Sequence, residues 1–141
     1  MSHLEQHLLA VILHESGRAP VAAGQTLAHA VQSPAERPFV EWADLPEHVQ
    51  RGRRMTAGHL LERYDVGGEP LPDLGTCPTS VDDLAQAIHE CEYFAVTAGL
   101  VLVKLDRPWI RFSELPEVAK DGRRRQAAYL LARAWWMPRR T

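Results

Sequence analysis

The chain has 141 residues, a formal net charge of -2 and an apolar fraction of 45%. This length suits one compact domain or two half-size units that share a core, and the apolar fraction is sufficient to fill that core. Because the net charge is close to zero, no overall electrostatic field attracts the chain to nucleic acid or to an anionic membrane, so we expect neither as a partner.

The N-terminal segment, MSHLEQHLLAVILHE, has no basic region ahead of its apolar run, and that run is too short to cross a membrane. The two cysteines, Cys77 and Cys91, lack CxxC spacing, which is typical of reduced thiols rather than of a disulfide framework. We therefore expect a soluble, cytoplasmic protein. The Ala- and Arg-rich, Lys-poor composition indicates a GC-rich genome, and hence a bacterium or its phage.

A large part of the chain occurs twice. RPFVEWADLPE, from Arg37, returns as RPWIRFSELPE, from Arg107, and 12 of 28 aligned positions are identical at an offset of 70 residues. Upstream the match continues at an offset of 75, where LLAVILHE ends at Glu15 and LAQAIHE ends at Glu90. Two blocks that match in the same order indicate a duplication. We assign repeat 1 to residues 1–66, a Gly- and Pro-rich linker to 67–76 and repeat 2 to 77–141, within one compact domain.

Each copy begins with an apolar-periodic stretch that predicts a helix. In the second copy Thr79 or Ser80 is a suitable N-cap, because acidic residues follow in the first turn. The expected buried faces consist of Leu4, Leu8, Val11 and Ile12 in the first copy and of Leu84, Ala87, Ile88 and Cys91 in the second.

An irregular segment with Arg, Pro and two aromatic residues follows in each copy, where Pro prevents the helix from continuing. A closing helix comes next, and in the first copy Asp44 and Glu47 have the spacing of a capping box. The expected buried stripe of this helix consists of Ala57, Leu60, Leu61 and Tyr64, and in the second copy of Ala127, Leu130, Leu131 and Ala134.

Two helices and a loop bury little apolar surface alone, so the copies should cover each other. We expect them to pack about a pseudo-twofold axis. The predicted fold is mainly α: two tandem helix–loop–helix repeats with little or no β structure.

The motifs A-x-HE, RPW-I-x-F-x-ELPE and R-x-x-A-x-x-LL occur in this order in the second copy. This order resembles the ryanodine-receptor (RyR) repeat, which has an Ile/Val-His-Glu helix, a Gly-bearing loop, a Pro-hydrophobic-aromatic segment, an LPE turn and a closing helix. RyR repeats typically occur as tandem pairs, and the resemblance covers nearly the whole chain. It implies a receptor for adenine nucleotides or their derivatives, with aromatic residues stacked on the base. The Trp that usually follows His-Glu is absent here, and Tyr93 and Phe94 are its possible substitutes in the second copy.

The His-Glu pairs occupy matching places on the opening helices: His14 with Glu15, and His89 with Glu90. In one interpretation both pairs line a single cleft and hydrogen-bond the ribose or base of a ligand. In the other, each His braces the Arg-Pro loop of its own copy.

Arginines and aromatics supply the remaining candidates. Arg37 and Arg107 could direct a guanidinium at a phosphate or form surface ion pairs. Trp109, with its counterpart Phe39, is either a core side chain or a stacking platform. The runs Arg53-Arg54 and 123–125 could bind phosphate across the pseudo-axis, although a solvated helix face is the favoured interpretation.

The sequence gives weak support for catalysis or for metal binding. His3 and His7 have a metal-compatible spacing, but no further ligands accompany them at a suitable distance. We find no HExxH, no GxSxG and no phosphate-cradling Gly loop in the sequence. We therefore expect neither an enzyme nor a cofactor or metal site.

The leading hypothesis is a non-enzymatic, RyR-like domain that binds an anionic, nucleotide-derived small molecule between its two copies, as a sensor or a sequestering protein. The expected ligands are an adenine nucleotide, ADP-ribose or a cyclic derivative. The alternative is a protein-interaction or assembly module without a small ligand, with Trp135 and Trp136 near the C-terminus mediating a homodimer or partner contact.

Overall fold

A computed structural model describes residues 4–27, 38–68, 77–102 and 108–139 of the chain. The fold is mainly α with one two-stranded ribbon, as the sequence predicted. The first copy contains α1 (Gln6–Ser16), α2 (Arg18–Ala22), a 3-10 turn (Trp42–Asp44), α3 (Glu47–Arg63) and β1 (Tyr64–Gly67). The second repeats this order with α4 (Val81–Cys91), α5 (Tyr93–Thr97), a 3-10 turn (Phe112–Glu114), α6 (Glu117–Leu131) and β2 (Trp135–Pro138). Within the described ranges, no helix has the length and apolar character needed to cross a membrane.

The opening helices differ in how well the sequence predicted their buried face. In α4 the whole predicted set is buried, and Ser80 is the N-cap, its hydroxyl accepting a hydrogen bond from the Asp83 N–H at 3.1 Å. In α1 the predicted face is only partly right. Leu4 and Ile12 are half-buried against the core, but Leu9 and Leu13 are the fully buried residues and Leu8 is 48% exposed. The run LLAVIL is apolar on almost every side, so its periodicity does not select one face.

The closing helices α3 and α6 carry the predicted buried stripes, with Leu61 and Leu131 half-buried at their margin. The predicted capping box does not form. Asp44 lies in the 3-10 turn, and α3 starts after Pro46 without a side-chain cap. Pro116 precedes α6 in the same way, so both copies share this start.

Each closing helix presses against the other copy through a glycine. A Cβ built on Gly52 would lie 2.1 Å from the Leu100 carbonyl oxygen, and one on Gly122 would lie 2.1 Å from the Gln25 carbonyl oxygen. Gln25 and Leu100 are equivalent at the offset of 75, and each follows a glycine with positive φ, Gly24 or Gly99. The two contacts are therefore one interaction made twice, in opposite directions across the seam between the copies.

The ribbon defines the symmetry of the molecule. β1 and β2 pair antiparallel, with Val66 opposite Trp136, and these positions are equivalent at the offset of 70. The strand of each copy thus meets its own counterpart. The Leu4 N–H donates to the Val66 carbonyl at 2.9 Å, and the Thr79 hydroxyl donates to the Trp136 carbonyl at 2.8 Å. The predicted pseudo-twofold axis passes between Val66 and Trp136.

The C-terminal tryptophans correct one expectation about an interaction surface. Trp136 is fully buried in the shared core, where its ring packs edge-on against Tyr64 at 5.5 Å and its Nε1–H donates to the Leu130 carbonyl. Pairing in the ribbon brings this segment back into the molecule, so Trp136 is unavailable to a partner. Trp135 is half-buried.

Candidate functional site

A cavity of about 550 Å³ lies at the seam, with walls from both copies. Its lining contains three pairs of side chains that are equivalent in the repeat: His14 with His89, Phe39 with Trp109, and Arg53 with Arg123. The opening helices supply the imidazoles, the extended segments the aromatic rings, and the closing helices the guanidinium groups. A volume of this size is typical of small-molecule sites.

The two imidazoles make the same backbone contact. His14 Nε2 donates to the Val40 carbonyl at 2.6 Å, and His89 Nε2 donates to the Ile110 carbonyl at 2.7 Å. A carbonyl only accepts, so the proton is on Nε2 in both rings and Nδ1 is left as an acceptor. Each ring also stacks on the aromatic side chain just before that carbonyl, with centroids 4.7 Å apart at Phe39 and 5.0 Å apart at Trp109. Each His therefore braces the loop of its own copy while also lining the cavity.

The Nδ1 atoms have different surroundings. His14 Nδ1 accepts a hydrogen bond from Arg53 Nε at 3.3 Å, whereas His89 Nδ1 is buried and has no partner among the residues that the structure describes. Burial, reinforced by the nearby Arg123 guanidinium, lowers the pKa of His89 to about 4. Burial also lowers the pKa of His14, and Arg53 adds to this effect. Both imidazoles are therefore neutral at neutral pH.

Arg53, Arg123 and Glu92 form a charged cluster in the cavity wall. Arg123 forms a two-point ion pair with Glu92, and its Nη1 also donates to Gln126 Oε1 at 2.8 Å. Arg53 Nη1 lies 4.0 Å from Glu92 Oε1. The side chains of Arg53, Arg123 and Glu92 are only 24, 19 and 14% exposed. Burial alone would raise the pKa of Glu92, but the two guanidinium groups outweigh it and hold the pKa below its usual range.

Three buried side-chain polar atoms lack a hydrogen-bond partner within the described residues: Gln25 Oε1, His89 Nδ1 and Trp109 Nε1. All three residues belong to the cavity lining. A buried polar group without a partner costs about 1–3 kcal/mol, so native proteins rarely keep one without a reason. The cavity wall thus contains two acceptors, Gln25 Oε1 and His89 Nδ1, and one donor, the Trp109 Nε1–H, that have no hydrogen-bond partner among the described residues.

The predicted glutamates lie away from the cavity lining. Glu15 pairs with Arg18 on the surface, and Arg18 also contacts Glu41. Glu90 pairs with Arg63 at 2.7 Å and lines a small second pocket instead. Each glutamate follows its His by one residue, which on a helix turns it about 100° from the face that the His occupies.

Of the other predicted site residues, Trp109 lines the cavity, and Tyr93 packs edge-on against Trp109 at 5.2 Å without lining it. Arg37 and Arg107 lie outside the described residues. His14, His89 and Trp109 are therefore the predicted residues that the fold brings together.

Neighbouring arginines in each closing helix have different environments in the fold. Arg54 pairs with Glu47 at 2.8 Å, and Arg124 pairs with three carboxylates on the surface, as a solvated helix face predicts. Arg53 and Arg123 instead turn into the cavity. A signal for this was present, because Arg53 lies four and seven residues before Ala57 and Leu60, on the same helix face. Glu92 and Gln126, also in the wall, have the same spacing, because Glu92 lies four residues after Ile88 and Gln126 four residues before Leu130.

Comparisons of the chain with protein-family models, with curated proteins and with solved structures found no match.

Proposed function

We propose that this chain is a non-enzymatic, RyR-like domain that binds an anionic, nucleotide-derived small molecule in the cavity between its two copies. The observation that carries the proposal is the pair of half-buried guanidinium groups, Arg53 and Arg123, that both copies direct into one hollow of about 550 Å³. Such a domain serves as a sensor of its ligand or as a protein that sequesters it.

The arginine pair supports an anionic ligand. A guanidinium presents several N–H donors in a planar fork that matches the oxygens of a phosphate. One carboxylate, Glu92, cannot neutralise two guanidinium groups, so the cluster retains an excess positive charge. Because the site is partly shielded from water, this charge attracts an anion more strongly than an exposed arginine does.

The rest of the lining supports an organic ligand rather than a bare ion. Most of the lining is apolar, including Val21, Val96 and Leu115, and the orphaned atoms of Gln25, His89 and Trp109 lie beside it. His89 already stacks on Trp109, so the ligand would meet the edge of the indole, whose Nε1–H is a donor without a partner. A flat heterocycle with polar edges satisfies these requirements.

The imidazoles favour binding over catalysis. Both donate their Nε2–H to a backbone carbonyl and have a lowered pKa, which leaves them neutral near pH 7. A general acid or base is most effective with a pKa near the operating pH. The site therefore resembles a receptor more than a proton-transfer centre.

Thermal unfolding with a ligand panel tests the proposal. Cyclic AMP, AMP, ADP-ribose and uncharged adenosine are added at millimolar concentration, and calorimetric titration follows for any that raise Tm. At least one anionic member should raise Tm through binding to the native state, and adenosine should do so less. Arg53→Met should weaken binding about 10- to 100-fold, the cost of a charged hydrogen bond.

Arg51→Met is the matched control, because Arg51 lies on the same helix but is exposed. It should bind as the unmodified protein does. The proposal fails if no anionic compound raises Tm and native mass spectrometry of the freshly purified protein shows no retained metabolite. It also fails if Arg51→Met and Arg53→Met weaken binding equally.

The alternative function, an assembly module, drew part of its support from Trp135 and Trp136 near the C-terminus. Burial of Trp136 in the core weakens that part of the support, whereas Trp135 is half-buried.

A further inference from the structure

Glu92 interrupts the symmetry of the cavity. The equivalent position in the first copy is Gly17, and both residues join the opening helix to the short helix that follows. Their backbone angles are nearly the same, with φ -81° and ψ -9° at Gly17 and φ -72° and ψ -15° at Glu92. This conformation is open to any residue, so the backbone does not require glycine in one copy or forbid a side chain in the other. The carboxylate is therefore a difference in charge between the two walls at equivalent positions.

The carboxylate sets the net charge of the cavity lining. Among the residues that the structure describes, the charged side chains in that lining are Arg53, Arg123 and Glu92, which sum to +1, because an arginine stays protonated in proteins and both histidines are neutral. Without Glu92 the sum would be +2. A ligand with one negative charge leaves the filled site neutral, whereas a doubly charged ligand leaves an uncompensated buried charge.

We propose that Glu92 restricts the ligand to a single negative charge, so that the cavity accepts a phosphodiester and disfavours a terminal phosphate. This inference rests on the proposed function and narrows its ligand class. A terminal phosphate carries nearly two charges at neutral pH, since its second pKa is about 6, whereas a phosphodiester carries one. Among the expected ligands, a cyclic phosphodiester fits, and ADP-ribose and open mononucleotides do not.

The same carboxylate explains the orphaned nitrogen of His89. In the first copy Arg53 Nε donates to His14 Nδ1. In the second, Arg123 turns instead to Glu92 and Gln126, and His89 Nδ1 is left as a buried acceptor. Glu92 thus changes the hydrogen bonding in the cavity wall as well as its charge.

Cyclic AMP and AMP are suitable probes, because they share base and ribose and differ by about one charge at pH 8. Calorimetric titration measures both with the unmodified chain, Glu92→Gln and the double variant Glu92→Gln/Arg123→Gln. The described charged side chains of the cavity lining then sum to +1 in the unmodified chain, +2 in Glu92→Gln and +1 in the double variant. Glu62→Gln is the control, because it makes the same change at an exposed surface residue.

We expect the unmodified chain to bind cyclic AMP at least about tenfold more tightly than AMP. Glu92→Gln should shift the ratio of the two affinities toward AMP by about 10- to 100-fold, and the double variant should restore the preference for cyclic AMP. Glu62→Gln should leave the ratio unchanged. If Glu92→Gln does not fold, the unmodified chain and the double variant still test the inference, since a preference for AMP in either would contradict it.

The outcomes separate the two proposals. If the chain binds AMP as tightly as cyclic AMP, or if the ratio does not respond to Glu92→Gln, charge selection by Glu92 is wrong and nucleotide binding stands. If neither probe binds to any of the proteins at millimolar concentration and the wider ligand panel is also negative, the proposed function is overturned and the inference falls with it.

Discussion

The first copy bonds His14 to the Val40 carbonyl and the second bonds His89 to the Ile110 carbonyl, through the same ring nitrogen and at 2.6 and 2.7 Å. Around the cavity, by contrast, the first copy has Gly17 where the second has Glu92. The contacts that both copies keep are those that hold loops, strands and helices in place. The cavity wall combines matching residues, such as Arg53 and Arg123, with this one charged residue that only the second copy provides. Comparison of the copies therefore singles out Glu92.

The largest expected loss of stability concerns Trp136 in the ribbon, whose equivalent in the first copy is the smaller Val66. Trp136→Ala should lower the free energy of unfolding by about 4 kcal/mol, because it removes a fully buried indole. Val66→Ala, across the pseudo-axis, should cost about 2 kcal/mol, since it removes two methyl groups. Urea unfolding measures both. The half-buried Trp135 is the control, and an equal cost for Trp135→Ala would contradict the assignment of Trp136 to the core.

The glycine contacts across the seam test whether the copies are mechanically equivalent. Gly52→Ala and Gly122→Ala should each cost about 3 kcal/mol, because each new Cβ would meet a backbone oxygen that cannot move aside. Gly58→Ala should change stability by less than about 1 kcal/mol, since its Cβ meets the flexible end of Gln6 and alanine favours the helix. Chemical denaturation provides the values. A large difference between Gly52→Ala and Gly122→Ala would show that one crossing contact dominates.

The pH dependence of stability tests the environment of the two imidazoles. The pKa of His89 is about 4 in the fold against 6.5 for an ordinary histidine, so the unfolded chain takes up a proton first as the pH falls. Stability should therefore be lost as the pH drops below 6.5, by about 2 kcal/mol between pH 7.5 and pH 5 from His89 alone. Carboxylates with a lowered pKa, such as Glu92, add their loss only below their usual pKa of 4.5.

His89→Phe keeps an aromatic ring against Trp109 and removes the titrating group, so the loss between pH 7.5 and pH 5 should shrink by about 2 kcal/mol. His14→Phe is the matched variant in the first copy and should remove the part of the slope that belongs to His14. Urea unfolding at several pH values measures both. An unchanged slope in His89→Phe would mean that folding does not lower the pKa of His89, which contradicts its burial as a neutral imidazole.

The buried face of a helix was predictable where polar residues marked the opposite side. In α4 the residues Asp82, Asp83 and Gln86 do so, and Leu84 and Ile88 were assigned correctly. In α1 the apolar run gave no such contrast. The repeat nonetheless indicates the buried face of α1, because Leu84 and Ile88 correspond to Leu9 and Leu13 at the offset of 75. Correspondence between copies was a better guide there than periodicity.

The candidate site was predictable only in part. His14, His89 and Trp109 were identified from the repeat and the resemblance, and the cavity contains all three. Glu92 was not identified from the repeat, since its equivalent in the first copy is Gly17, and its importance arises from contacts 31 and 39 residues away in sequence, with Arg123 and Arg53. Such a group becomes visible only when the fold brings the three charges together.

The register of the ribbon bears on the history of the chain. A strand that pairs with its own equivalent about a twofold axis is the arrangement that two identical, separate chains make when they associate. One ancestral copy with Val or Trp at this position would already have carried both halves of the interface. Fusion of two genes would then have needed only a connecting segment, and afterwards each half was free to acquire its own residues, as Gly17 and Glu92 did.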